Sequence, residues 1–203
     1  MSYDYTLLRE FAKTTIEYGI IEGGNIIVVL KAGQDGSIYG YMNKYLDMAR
    51  SLHDEFGCTV IASSNPFNGV NPLDDLMDVI NEYAAKKDYK EFEIYYFGTS
   101  NGAKIGLTWG YEYPMITKWI LINSPLMINW HQLKKGLTGF KEKGLQDVFV
   151  IYGSKDMSYK YAELVKSFES EKIHLIITEG ADHNFSDCLK TFMNFPKELF
   201  FGR

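Results

Sequence analysis

The chain has 203 residues, 46% of them hydrophobic and 23% charged, which is a globular composition and not a disordered one. A formal net charge of −5 gives no electrostatic footprint for nucleic acid, and no apolar run is long enough to span a bilayer. Residues 1–203 read as a single domain of a cytoplasmic protein, because no linker, internal repeat or leader-like start interrupts the pattern.

The first 24 residues carry the weakest pattern: 7–13 reads as a short helix and 14–21 as an antiparallel edge strand. From there the chain alternates. Six short, nearly continuous apolar runs occupy 25–30, 58–62, 93–97, 118–123, 147–152 and 173–178. Such runs suit strands buried on both faces of a parallel sheet. Between them lie helical periods. Ile38, Tyr41, Met42, Tyr45, Ala49, Leu52 and Phe56 predict one helix; Leu73, Leu76, Met77, Ile80, Tyr83 and Ala84 predict a second, introduced by Asn71 and Pro72. Tyr161, Leu164, Val165 and Phe168 predict a third, and Phe185, Cys188, Leu189 and Phe192 a last one stopped near Pro196. The fold class is α/β, a mainly parallel sheet of about six or seven strands flanked by helices. Chemistry is then sought just beyond the carboxyl ends of the strands. Cys58 and Cys188 have neither metal-site nor disulfide-framework spacing, and both are expected reduced and buried.

After the run ending at Phe97 come Gly98, Thr99, Ser100, Asn101 and Gly102, followed by a helix-compatible stretch. This is G-x-S-x-G between strand and helix. Glycines are needed because side chains there would strike the neighbouring strand and helix, and the sharp turn lifts the serine hydroxyl clear of the sheet. The amide of Asn101, at a helix N-terminus, is placed to donate to a developing oxyanion. A serine needs a base. Of the four histidines, His53 falls on a helix, His174 inside a strand and His131 in the segment after Ser124; His183 follows the last strand in a loop. The imidazole needs an acid to fix its tautomer. Asp156 lies in the loop after the strand ending at Tyr152; Asp182 adjoins His183 too closely in sequence to face it. The candidate catalytic set is Ser100, Asp156 and His183.

These residues resemble those of the α/β-hydrolases: the elbow from Gly98 to Gly102, the acid loop from Gly153 to Asp156, and the base loop from Gly180 to Phe185, in that order over residues 25–195. The resemblance implies an acyl-enzyme mechanism on an ester, thioester or amide, a small-molecule acyl substrate, no metal and no cofactor. It also implies a loop with His-Gly after the strand preceding the first long helix. Here the loop has Ala32 in place of the histidine, then Gly33, Gln34, Asp35 and Gly36. The amide of Gln34 is by position the second oxyanion donor, and Asp35 is expected to face solvent or cap the next helix. Only 23 residues, Ser124 to Gln146, separate the fourth run from the acid strand. They allow a minimal helical cap at about 125–146 and an open pocket walled by Met127, Trp130 and Phe67. A peptidase, a carbon–carbon or lactone hydrolase, and a binding protein on the same scaffold are the alternatives. A nucleotide-binding α/β protein fits poorly, because the glycine-rich turn lacks the P-loop lysine and no dinucleotide fingerprint follows the first strand.

Overall fold

The structure is a computed structural model and describes residues 2–66 and 70–203. Its eight strands are β1 (Tyr5–Phe11), β2 (Thr14–Ile21), β3 (Gly24–Lys31), β4 (Cys58–Ser63), β5 (Glu93–Thr99), β6 (Ile116–Ile122), β7 (Asp147–Gly153) and β8 (Ile173–Thr178). They form one sheet in the order β1-β2-β4-β3-β5-β6-β7-β8. The six strands from β4 to β8 along that order run parallel, whereas β1 and β2 are antiparallel to their neighbours. The continuous apolar runs are these parallel strands; the inner five are largely buried on both faces, whereas β8, at the edge, is half-buried.

Helices α1 (Lys44–Phe56) and α6 (Leu189–Phe201) cover one face of the sheet. Helices α2 (Leu73–Lys86), α3 (Asn101–Trp109), α4 (Trp130–Lys143) and α5 (Ala162–Lys166) cover the other. Alternate residues of β3 serve the two layers: Ile27 and Val29 pack under α2 and α3, Val28 and Leu30 under α1 and α6. From β3 the chain passes through α1 to β4, then back through α2 to β5 on the other side of β3. The loops leaving β3 and β5 therefore diverge, and their divergence opens a crevice at the carboxyl ends of these two strands.

Three elements differ from expectation. Residues 7–13 are mostly strand: β1 pairs with β2 along its length, and Tyr5, Leu7, Arg9 and Phe11 alternate with more exposed neighbours. The outermost strand is thus β1, and the sheet has eight strands instead of six or seven. The first long helix begins at Lys44, not near Ile38, because Gly40, Met42 and Asn43 all have positive φ and hold the chain in an irregular turn. Asn71 caps α2 through its Oδ1, which accepts from the Leu73 amide at 3.0 Å. The last helix runs through Pro196 to Phe201 and does not stop there; the proline costs a backbone hydrogen bond, but Phe192, Phe195, Pro196 and Phe200 are all buried. Cys58 is buried and Cys188 only half-buried, both as free thiols. Among the described residues no helix is long and apolar enough to cross a membrane.

Candidate active site

Ser100 sits between β5 and α3 with φ 51° and ψ −117°, a left-handed conformation that side chains seldom adopt. Such strain costs on the order of 1–3 kcal/mol and persists only where its surroundings enforce it. Here the enforcement is visible. The Ser100 amide donates to Ile122 O at 2.8 Å, and Lys104 N closes the first turn of α3 on Ser100 O at 2.9 Å. A Cβ on Gly98 would come within 2.7 Å of Gly102 C, and one on Gly102 within 2.5 Å of Lys31 O. The elbow's two glycines meet each other and the end of β3, so the turn closes only without side chains at both positions.

His183 lies in the loop after β8, and its Nδ1 is hydrogen-bonded to Asp156 Oδ2. Since a carboxylate only accepts, Nδ1 is the donor, and in the neutral ring Nε2 is the acceptor. The Asp156 side chain is 1% exposed and the His183 side chain 50% exposed, so the pair presents only the imidazole to solvent. Asp156 Oδ1 accepts from the Ser158 amide at 2.6 Å. The same carboxylate thus shapes its own loop and orients the imidazole. The other histidines are elsewhere: His174 stacks on Phe149, His53 contacts Cys58 O through Nδ1, and His131 lies on α4.

Ser100 and His183 line one cleft, of about 300 Å3, together with Gly33, Gln34, Tyr41, Lys44 and Asn184 among others. Gly33 reaches the serine so closely that a Cβ there would stand 3.2 Å from Ser100 Cβ. The amides of Gln34 and Asn101 donate to no protein acceptor among the described residues. Asp35 has φ 55°, is exposed, and gives its amide to Asn65 O at 2.8 Å. Gln34 Nε2 donates to its carboxylate at 3.5 Å.

Two of the three expected pocket walls do not line the cleft. Trp130 is half-buried on the core and packs edge-on to Phe168, and Met127 is 52% exposed; neither lines the cleft. The reason lies in α4, whose Leu133, Leu137 and Phe140 form an apolar stripe sunk into the α3 side of the core. Residues 125–146 therefore extend the flanking layer, and none of them lines the cleft. Phe67 lies outside the described residues.

Two asparagines that motif reasoning passed over hold the loops together. Asn123, buried at the end of β6 with φ 51°, donates from Nδ2 to Asp182 O at 3.2 Å and His183 O at 3.0 Å. Its Oδ1 accepts from the Gly153 amide at 2.9 Å, which ties the acid and base loops to one side chain. Asn65, after β4, donates from Nδ2 to Ala32 O at 3.0 Å, and its own amide donates to Gly36 O at 3.0 Å. It clamps both ends of the loop that carries Gln34.

Beneath that loop lies a buried cation. Lys31 is 1% exposed and donates from Nζ to Ser63 Oγ at 2.9 Å and Ser64 O at 2.7 Å. Burial pulls its ammonium down to about 7, against partial support from Asp75. Asp75 is itself held by Tyr18 Oη at 2.6 Å and Arg9 Nε at 3.2 Å. Below pH 7 Lys31 is charged in both folded and unfolded chains. Between about 7 and the ordinary lysine range only the unfolded chain holds the proton, so stability rises with pH across that window. Lys31→Met is expected to flatten this rise and to add about 1–4 kcal/mol near pH 7. Denaturant unfolding of both proteins at pH 7 and pH 9.5 checks it; a variant less stable than wild type at pH 7 contradicts it.

No protein-family model matches the chain, and no curated protein matches its sequence. Solved structures do match in shape. Est1E from Butyrivibrio proteoclasticus is 14% identical with a TM-score of 0.71, over 97% of each chain. An α/β serine hydrolase homologue from Coxiella burnetii is 18% identical with a TM-score of 0.69, over 96% of each chain. A lidless α/β serine hydrolase from Xanthomonas campestris is 16% identical with a TM-score of 0.65, over 100% of this chain and 94% of that one.

Proposed function

From the α/β-hydrolase fold that this chain shares with those structures, we propose that it is a serine hydrolase of carboxylic esters or related acyl bonds. The observation that carries the reading is the convergence in one cleft of a serine at positive φ and an imidazole whose far nitrogen is engaged by a buried carboxylate. In this reading His183 Nε2 takes the Ser100 hydroxyl proton as Oγ bonds to the acyl carbon. The amides of Gln34 and Asn101 stabilise the negative charge on the carbonyl oxygen. The C–O bond to the leaving group breaks, and the leaving alkoxide takes the proton from His183. A water molecule then gives its proton to His183, attacks the acyl carbon and releases the acid, and the proton returns to Ser100. Asp156 holds the imidazole in the required tautomer and stabilises its transient charge. Likeness to two serine hydrolases supports the reaction class; the cleft's small volume and open mouth favour short acyl groups. Saturable hydrolysis of p-nitrophenyl acetate or butyrate is the expected result, measured as nitrophenolate release. No turnover above buffer, across esters, thioesters and lactones, overturns the proposal.

A further inference from the structure

Among the described residues one lysine lines the cleft. Lys44, the first residue of α1, is only 6% exposed, yet it lines the same cleft as Ser100 and His183. Its Nζ donates to Asn184 O at 3.1 Å and lies 4.4 Å from the centre of the Phe192 ring. An ammonium has three N–H groups, and a single carbonyl uses one. Among the described residues no carboxylate comes within ion-pair distance of it. Asp182 acts on it through space, but Asp182 Oδ1 already accepts the Asn184 and Ser186 amides at 3.1 and 2.8 Å. The other described residues lining the cleft contribute hydroxyls, amides, glycines and Ala32, and none of them a carboxylate. A buried cation with donors to spare and no counter-ion is unfavourable unless something negative joins it.

Resting on the serine-hydrolase reading, we propose that the cleft takes an acyl group bearing its own carboxylate, and that Lys44 binds that carboxylate while Ser100 attacks the ester carbonyl. The half-ester of a short dicarboxylic acid is the substrate class. One lysine, with no arginine or second lysine among the described residues that line the cleft, matches a monoanion, and about 300 Å3 matches a short chain. Burial lowers the Lys44 ammonium to about 8, which leaves it charged at neutral pH.

The test compares p-nitrophenyl hemiglutarate with p-nitrophenyl valerate, which has a similar length and no charge. Wild type is expected to favour the anionic ester by about tenfold or more in kcat/KM, the worth of one charge-assisted hydrogen bond. Lys44→Met is expected to abolish that ratio, and Lys44→Arg to keep it. Equal rates in wild type, or an equal loss on both esters in Lys44→Met, overturns the proposal, since a lysine that merely holds the Asn184 loop affects both alike. Turnover of the valerate ester reports the serine-hydrolase reading separately. If neither ester is turned over, calorimetric titration of Ser100→Ala with monomethyl glutarate against methyl valerate reads the subsite alone; no preference for the anion overturns it.

Discussion

Ser100→Ala is expected to lower kcat/KM for a p-nitrophenyl ester by about 10⁴-fold or more, with folding stability unchanged to within about 0.5 kcal/mol. The substitution removes one oxygen and nothing else. The Ser100 amide keeps its bond to Ile122 O, and alanine meets the same backbone strain at φ 51° as serine does. The hydroxyl makes no hydrogen bond that the fold relies on, and its neighbours are Gly33 and the open cleft. A loss of activity accompanied by a lower melting temperature points instead to a collapsed elbow. Full activity in the alanine variant removes Ser100 from the reaction.

Asp156→Asn is expected to cost about 10⁴-fold in kcat with little change in KM. The asparagine can still accept from the Ser158 amide through its carbonyl oxygen, so the acid loop keeps its shape. What changes is the partner of His183 Nδ1. An amide NH2 in place of Oδ2 donates, so Nδ1 must accept and the ring proton moves to Nε2, the nitrogen that has to take the serine's proton. Asp156→Ala serves as contrast: it also strips the Ser158 amide of its acceptor, and it is expected to destabilise the chain by about 1–3 kcal/mol as well as inactivate it. Steady-state kinetics and thermal unfolding of the two variants separate orientation of the imidazole from support of the loop. An asparagine variant with wild-type kcat contradicts the role.

The parallel strands were legible because a strand buried on both faces has few polar positions to interrupt its apolar run. The elbow was legible because Gly98 and Gly102 answer to a local steric need, whereas Asn123 and Lys44 answer to distant loops. Asn123 meets His183 O 60 residues along the chain, and Lys44 meets Asn184 O 140 residues along it, so nothing near either residue marks its task. β1 was read as a helix although Tyr5, Leu7, Arg9 and Phe11 alternate. Its outward residues include Leu8, 66% exposed, which blurs the two-residue period. The helix at Trp130 had a readable stripe in Leu133, Leu137 and Phe140, but whether a stripe covers a cleft or a core is decided by the sheet it meets. The run through Pro196 failed for the opposite reason, since burial of four neighbouring side chains outweighs a local helix-breaking rule.

The loop from Ala32 to Gly36 departs from the expected histidine without losing its geometry. Asn65 fixes both its ends, Gly33 lies against Ser100, and Asp35 is exposed. Without the histidine, Gln34 still lines the cleft together with Ser100.

Covalent labelling by a fluorophosphonate tests the central claim most directly, because it requires an activated serine and reports which one. The expected result is a single phosphonylated peptide carrying the modification on Ser100, formed by wild type, slowed in Asp156→Asn and absent from Ser100→Ala. Labelling at any other serine, or none in a folded protein, contradicts the account.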